Sequence, residues 1–478
     1  MNMALFLPEL ALTLMALVFF FLSLGKPRSS FLQVVALGQA ALVLVISFYA
    51  LQLVMGKPEQ LLFFDAYRID IFSQMFKIVF CLGLFLVIYL GQGLKGITEE
   101  LKSEYYMFLT LSTLGLVFLS SSVELLTIVI SLEISSFSLY VVIPFRFQTG
   151  YKKQMEAGIK YVMFGALATG ISLYGMSYIF GFAHTTYLAE LAPVLPGMIK
   201  TQPLMIVALI LLLSSFFYKL AMFPMHFWAP DVYEGSSNET AGFIATLPKV
   251  GAVALLLRLV SFAGVELNQI TGILATFAVL SMVIGNLSAL VQEDLKRLLA
   301  YSSIAHAGYV MVAILCVSVM GFASAIYYIA GYLLMNLACF YVIYHLSKNG
   351  ENVTFNDLKG LYKNSPILAL TLVFGAFGMA GLPPTVGFMG KFFIFTSAIE
   401  KSLYALVIIT VINAGISAYY YLKLVRAAFL TSEEEVCAIP LNRSAYVLGV
   451  FFIVAILGIG LFPQIFMNFA KMAASTIL

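Results

Sequence analysis

The sequence predicts an all-α polytopic membrane protein of about fourteen transmembrane helices, built from two inverted five-helix repeats with broken helices seven and twelve. Three observations carry this expectation. Of the 478 residues, 62% are hydrophobic and only 10% charged, whereas soluble domains carry about 25% charged residues. Apolar runs of spanning length recur along the whole chain. Prolines interrupt two of them, at Pro224 and at Pro383-Pro384, where each removes a backbone donor and clashes with the preceding turn.

A membrane-spanning helix needs about 20 mostly apolar residues. Such runs lie near 4–24, 31–55, 71–92, 105–121, 123–145, 158–182, 203–221, 241–262, 268–290, 301–319, 321–347, 365–399, 403–430 and 444–470. The run at 4–24 has no basic residue ahead of it and no small-residue cleavage site, so it is expected to be a retained first helix. Residues 1–103 hold segments one to three, 104–262 the first repeat (segments 4–8), 263–430 the second (segments 9–13) and 431–478 a last helix, all within a single integral membrane domain. The two breaks lie five segments apart. An odd number of helices per unit inverts the second unit relative to the first, as in many transporters, and broken helices expose polar backbone that only a protein-lined cavity tolerates.

Net charge is +3 and the basic residues are scattered, which excludes a nucleic-acid surface. The four cysteines, Cys81, Cys316, Cys339 and Cys437, show no C-x-x-C spacing, so no zinc, haem or iron–sulfur site is expected in this chain. Basic residues in short loops set orientation. With the N-terminus outside, fifteen Lys and Arg, from Lys26 to Arg443, fall on one side and five on the other, which places both termini away from the cytoplasm.

The remaining six, Lys77, Lys160, Lys219, Lys249, Arg258 and Lys391, fall inside predicted spans, together with Glu133. A charge at mid-bilayer costs about 3 kcal/mol or more on insertion scales, so it faces the protein interior, a partner or water, and is a functional candidate by default. Glu133 and Lys219 are central in their runs; Lys249 follows Pro248, and Lys391 follows the double proline. Lys160 sits four residues after Glu156, so an ordinary helical ion pair is an equal alternative to a functional role. Arg258 and Lys77 lie nearer the ends of their runs and read as snorkelling side chains. His226 and His306 titrate nearest physiological pH and suit a relay between buried lysines, with a hydrogen-bonded packing role equally open. His184 and His345 lie near loops and carry no assignment.

Several stretches together resemble one family, the antiporter-like membrane subunits of respiratory complex I, and within it the N-subunit type. The stretches are SLEISS around Glu133, GIKYVMFGA around Lys160, YKLAMFPMHFWAPDVYEG around Lys219, LPKVGA around Lys249, LKRLLAYSSIAHAGY around His306 and GLPPTVGFMGKF around Lys391. They follow the family's order, and PDVYEG distinguishes the N type from its L and M relatives, where a PDAH-like sequence usually stands. One departure is visible. Where the family usually continues with an Ala-Pro stretch, this chain reads SSNETAGF.

The resemblance implies that Glu133 pairs with Lys219 on the broken seventh helix, that Lys249 connects the two halves, and that Lys391 on the broken twelfth exchanges protons with the far side. It further implies a non-redox subunit of a proton-translocating NADH-quinone oxidoreductase in a bacterial inner (plasma) membrane. No cofactor is then expected in this chain; flavin, iron–sulfur clusters and quinone would belong to other subunits. The implied partners are the lipid bilayer, antiporter-like M and L subunits, and K, J, A and H type subunits. A subunit of a Mrp-type cation/proton antiporter or of a membrane-bound hydrogenase-related complex is the alternative, and a solitary transporter or a passive structural subunit are more distant ones.

Overall fold

The computed structural model describes residues 3–25, 27–147, 152–263, 268–430 and 441–478; Lys26 and Cys437 lie outside them. Two helices, α1 (Leu7–Ser23) and α2 (Ser29–Val54), lead to a hairpin of β1 (Gln60–Leu62) and β2 (Tyr67–Ile69), antiparallel with Leu61 opposite Arg68. Then come α3 (Ile71–Leu90), α4 (Lys102–Ser121), α5 (Leu125–Val142), α6 (Lys152–Ala183) and α7 (Leu188–Thr201). The seventh predicted run folds as α8 (Leu204–Leu212) and α9 (Ser214–Leu220), followed by a turn and α10 (Trp228–Gly235). Next are α11 (Asn238–Ala263), α12 (Asn268–Leu290), α13 (Leu295–Leu315), α14 (Val319–Leu346) and the single turn α15 (Leu361–Asn364). The chain ends with α16 (Pro366–Ala380), α17 (Val386–Glu400), α18 (Tyr404–Phe429), α19 (Arg443–Leu461) and α20 (Pro463–Ser475).

Among the described residues, eleven helices are long and apolar enough to cross a membrane, and Leu204–Leu220 and Pro366–Ala380 are shorter apolar helices. The remaining run, α4, is rich in Ser, Thr and Tyr and mostly buried. Each of the fourteen predicted runs is therefore mainly helical, and the all-α membrane architecture is as expected.

The helices form an inner and an outer set. The most apolar windows of α11, α13 and α14 are 89%, 94% and 94% buried, whereas those of α1, α2, α6, α12, α18 and α19 are only 28% to 39% buried. Lipid-facing apolar residues thus belong to the outer helices, and the inner ones can hold polar groups against protein alone. Small residues bring the backbones together: a Cβ added at Gly115 would lie 2.6 Å from the Ser135 nitrogen, and one at Gly285 2.6 Å from that of Ala305.

The breaks lie where proline chemistry puts them, with local differences. Helix α9 stops at Leu220 because Ala221 takes a left-handed conformation (φ 55°), and Pro224 sits in the turn after the run rather than in mid-helix. Helix α16 stops at Ala380, with Gly381 left-handed (φ 85°) and Pro383-Pro384 in the turn before α17. Pro248, by contrast, lies inside a continuous α11. Helix α7 was not expected: Pro193 and Pro196 mask it in the sequence, while Leu188, Leu191 and Leu195 bury one face at helical spacing. The last run divides at Phe462, because Pro463 starts α20 at a position where its missing N–H costs nothing.

Candidate functional site

A helix that stops inside a fold leaves its last carbonyls without donors. At the end of α9 the Leu220 carbonyl accepts a hydrogen bond from Lys249 Nζ at 3.0 Å. At the end of α16 the carbonyls of Met379 and Ala380 accept from Lys391 Nζ at 3.0 and 2.8 Å. Each break is thus capped by a buried ammonium, placed where the negative end of the helix dipole favours a cation. Gly381 makes the second cap possible, since a Cβ there would lie 2.8 Å from Lys391 Cδ. Ring faces complete both sites: Lys249 Nζ lies 5.8 Å from the Trp228 ring and 5.9 Å from Tyr233, and Lys391 Nζ lies 5.0 Å from Tyr309. Among the described residues neither lysine has an ion-pair partner.

His306, on the inner helix α13, is close enough to both Lys391 and Lys249 for each to act on it electrostatically. Its Nδ1 lies 2.6 Å from the Tyr328 hydroxyl and its Nε2 3.0 Å from that of Tyr421, which also meets Ser302. The Tyr309 ring lies 5.6 Å from that of His306 and 5.0 Å from Lys391 Nζ, so these two residues named from the sequence share one buried region.

Lys219 is buried on α9 and, among the described residues, its Nζ has no hydrogen-bond partner. Glu133, half-buried on α5, accepts instead from Thr169 on α6 at 2.6 Å. Glu133 still acts on Lys219 electrostatically, but among the described residues no ion pair joins them, so the expected pairing is proximity rather than contact. His226 sits in the turn after α9, its ring 4.2 Å from Phe227 and 5.9 Å from Phe223, and among the described residues its Nδ1 makes no hydrogen bond of ordinary geometry.

Lys160 is placed elsewhere. It bonds Glu156 and Asp231, each at 2.5 Å, at a partly exposed edge where Arg297 reaches Asp231 at 2.7 Å and Glu234 at 2.8 Å. The ordinary i,i+4 pair is present, and the acids of PDVYEG extend it into a network. Burial pushes the Asp231 carboxyl up, but hydrogen bonds from Lys160 and Arg297 outweigh it and hold the group below the usual aspartate range.

Two residues read as snorkelling do not snorkel. Lys77 is fully buried and pairs with Glu9 at 2.6 Å, and Arg258 bonds Asp70 at 3.0 and 3.2 Å and the Ser120 carbonyl at 2.9 Å. Glu9 had a readable signal: an acid within an apolar run obeys the same rule that singled out the lysines. Lys296, counted as a loop residue, is fully buried and donates to the Ser236 carbonyl at 2.8 Å. No local pattern marks that inward turn, because packing of α13 against α10 decides it.

The model of the family described as NADH:quinone oxidoreductase/Mrp antiporter, TM, matches residues 122–417. The chain is 47% identical over 460 residues to NADH-quinone oxidoreductase subunit N 2 of Opitutus terrae, covering 96% of this chain and 95% of that protein. It is 40% identical over 482 residues to the subunit of the same name from Syntrophobacter fumaroxidans, covering 100% of both. Among solved structures it resembles a chain of respiratory complex I from Thermus thermophilus, with TM-score 0.80 and 31% identity over 96% of this chain and 98% of that one. A chain of the Mrp complex from a Dietzia species matches with TM-score 0.88 and 18% identity over 100% of this chain and 98% of that one, a likeness of fold alone.

Proposed function

The chain belongs to the NADH:quinone oxidoreductase/Mrp antiporter family, and within it to the N-subunit type of NADH-quinone oxidoreductase, and from that premise we propose that it carries protons across the membrane through its buried lysines. The observation that carries this reading is the pair of lysine-capped helix breaks flanking His306. An ammonium held only by carbonyl dipoles and ring faces can give up its proton without leaving a buried counter-charge unpaired. A second ammonium or a carboxylate that approaches or recedes in a low-dielectric interior changes the proton affinity of its neighbour by units, enough to load or release a proton. Glu133, Lys219, Lys249, His306 and Lys391 then form the line along which one protonation event is passed to the next, with His226 at the turn after α9; Lys160 belongs to the peripheral network.

In this reading the chain does no redox chemistry. Electrons pass through flavin and iron–sulfur centres of other subunits to quinone, and the energy released drives the proton steps. Membrane neighbours are subunits of the antiporter-like M and L and of the K, J, A and H types, in a bacterial plasma membrane with both termini on the non-cytoplasmic side, which the distribution of basic residues supports.

The test is proton pumping and NADH-linked quinone reduction in membranes carrying Lys219→Ala or Glu133→Ala, with assembly of the complex verified on the same samples. Pumping and coupled turnover are expected to fall in assembled complex. Unchanged pumping in both variants rejects the proposal.

A further inference from the structure

Helix α11 begins where PDVYEG is followed by SSNETAGF instead of an Ala-Pro stretch, and this departure puts a carboxyl, Glu239, in the first turn of the helix that carries Lys249. The two residues are ten positions apart, about 15 Å along the helix axis. Glu239 is 1% exposed, and among the described residues neither of its carboxyl oxygens makes a hydrogen bond of ordinary geometry, although the Ser237 hydroxyl and the Gly96 backbone lie near enough to act on it. The buried Tyr105 hydroxyl and the Asn238 side-chain oxygen are also unpartnered. Glycines in the loop after α3 make the room: a Cβ at Gly91 would lie 2.9 Å from Glu239 Cγ, and one at Gly96 3.7 Å from its Oε2.

The charged and titratable groups that act on Glu239 come from every side: Lys95 after α3, Tyr105 and Tyr106 on α4, Arg146 after α5, Lys296 on α13 and Tyr344 on α14. None of the basic ones spends its hydrogen bonds on Glu239. Arg146 donates to the Glu234 and Gly350 carbonyls and to Asn352, Lys296 to the Ser236 carbonyl, and Lys95 to the carbonyls of Tyr344 and Ser347. A carboxyl that anchored the fold would be hydrogen-bonded, because burying an ionised one without partners is costly. A carboxyl that takes up and releases a proton has a use for this setting.

Polar groups lie on both sides of it. Outward lies Lys95, whose side chain reaches the surface. Inward, the Ser237 and Thr240 hydroxyls are 2.9 Å apart, the Tyr233 hydroxyl is 3.5 Å from that of Ser303, and the Tyr233 ring faces Lys249.

We propose that Glu239 is the proton-loading carboxyl of α11, receiving protons from the aqueous edge at Lys95 and supplying Lys249. The carboxylate accepts a proton to become the neutral acid; that O–H then breaks, the proton passes along the hydroxyls near Tyr233 to the Lys249 amine, and a carboxylate and an ammonium remain. The inference rests on the proton-carrying role given to Lys249 above.

The experiment is proton pumping by the intact complex in membrane vesicles with Glu239→Gln, which keeps the shape and removes the titration, run beside Lys219→Ala. Glu239→Gln is expected to lower pumping about a hundredfold, the low end of the scale of a lost positioned acid–base group, with the largest loss at alkaline pH where proton supply is scarcest. If Glu239→Gln pumps like the parent while Lys219→Ala does not, the inference is overturned and the functional reading stands; if both pump like the parent, both fall. Should Glu239→Gln fail to assemble, carbodiimide labelling of the unmodified complex decides. Glu239 is expected to be labelled at low pH and progressively less as pH rises, and absence of label at every pH overturns the inference.

Discussion

Lys77 and Arg258 at one end of the molecule, and Lys249 and Lys391 at its centre, are equally shut away from lipid and water, but they are held differently. Lys77 faces the Glu9 carboxylate and Arg258 the Asp70 carboxylate. These pairs tie α1 to α3 and the C-terminal part of α11 to the start of α3, which Asp70 also caps by accepting from the Ser73 nitrogen at 2.7 Å. Lys249 and Lys391 face backbone carbonyls and aromatic rings. A proton leaving Lys77 would strand a buried carboxylate, whereas one leaving Lys249 strands nothing. On the proposed reading, burial alone does not mark a proton carrier; the nature of the partner does.

The largest effect expected from this contrast is on the paired charges. Asp70→Ala leaves Arg258 buried without its carboxylate and is expected to cost about 3–5 kcal/mol, read as loss of assembled complex or a sharp fall in thermal stability. Normal accumulation of that variant would break the comparison. Replacing both partners, Glu9→Leu with Lys77→Met, sharpens it: the double variant is expected to recover most of the stability that Glu9→Leu alone loses, since buried pairs are often replaceable by apolar residues of similar volume.

An intermediate effect is expected at the second break. Lys391→Met removes a cation from a helix C-terminus, worth about 0.3–2 kcal/mol, so the complex should assemble and melt nearly as before while pumping is lost. Loss of assembly instead would place Lys391 with the anchors.

The smallest effect belongs to the exposed network. Lys160→Ala removes partly solvated pairs worth about 1 kcal/mol or less, and pumping should change little. Because Lys160 and Arg297 hold the Asp231 carboxyl below its usual range, the contact of α10 with α6 and α13 is intact above ordinary aspartate pH values and loosens as pH falls through the lowered value. Hydrogen exchange of α10 as a function of pH reads this directly, and protection that does not decline on acidification rules it out.

The sequence made the spans legible because length and apolarity are set by the bilayer, and it made Lys219, Lys249 and Lys391 legible because each interrupts an apolar run. Their partners were not legible. The carbonyl that receives Lys249 belongs to Leu220, 29 residues earlier, and is free only because α9 stops there. Glu133 was expected against Lys219, yet the hydroxyl of Thr169, on the next helix, takes its carboxylate. The inward turn of Lys296 and the burial of Glu239 depend on how α10, α11 and α13 pack, which no spacing rule encodes.

The most direct test of the central claim is the ratio of protons pumped to quinone reduced in vesicles carrying Lys249→Ala, with assembly and thermal stability measured on the same preparation. The account predicts a collapsed ratio in a complex that assembles and melts like the parent. A parental ratio would contradict it.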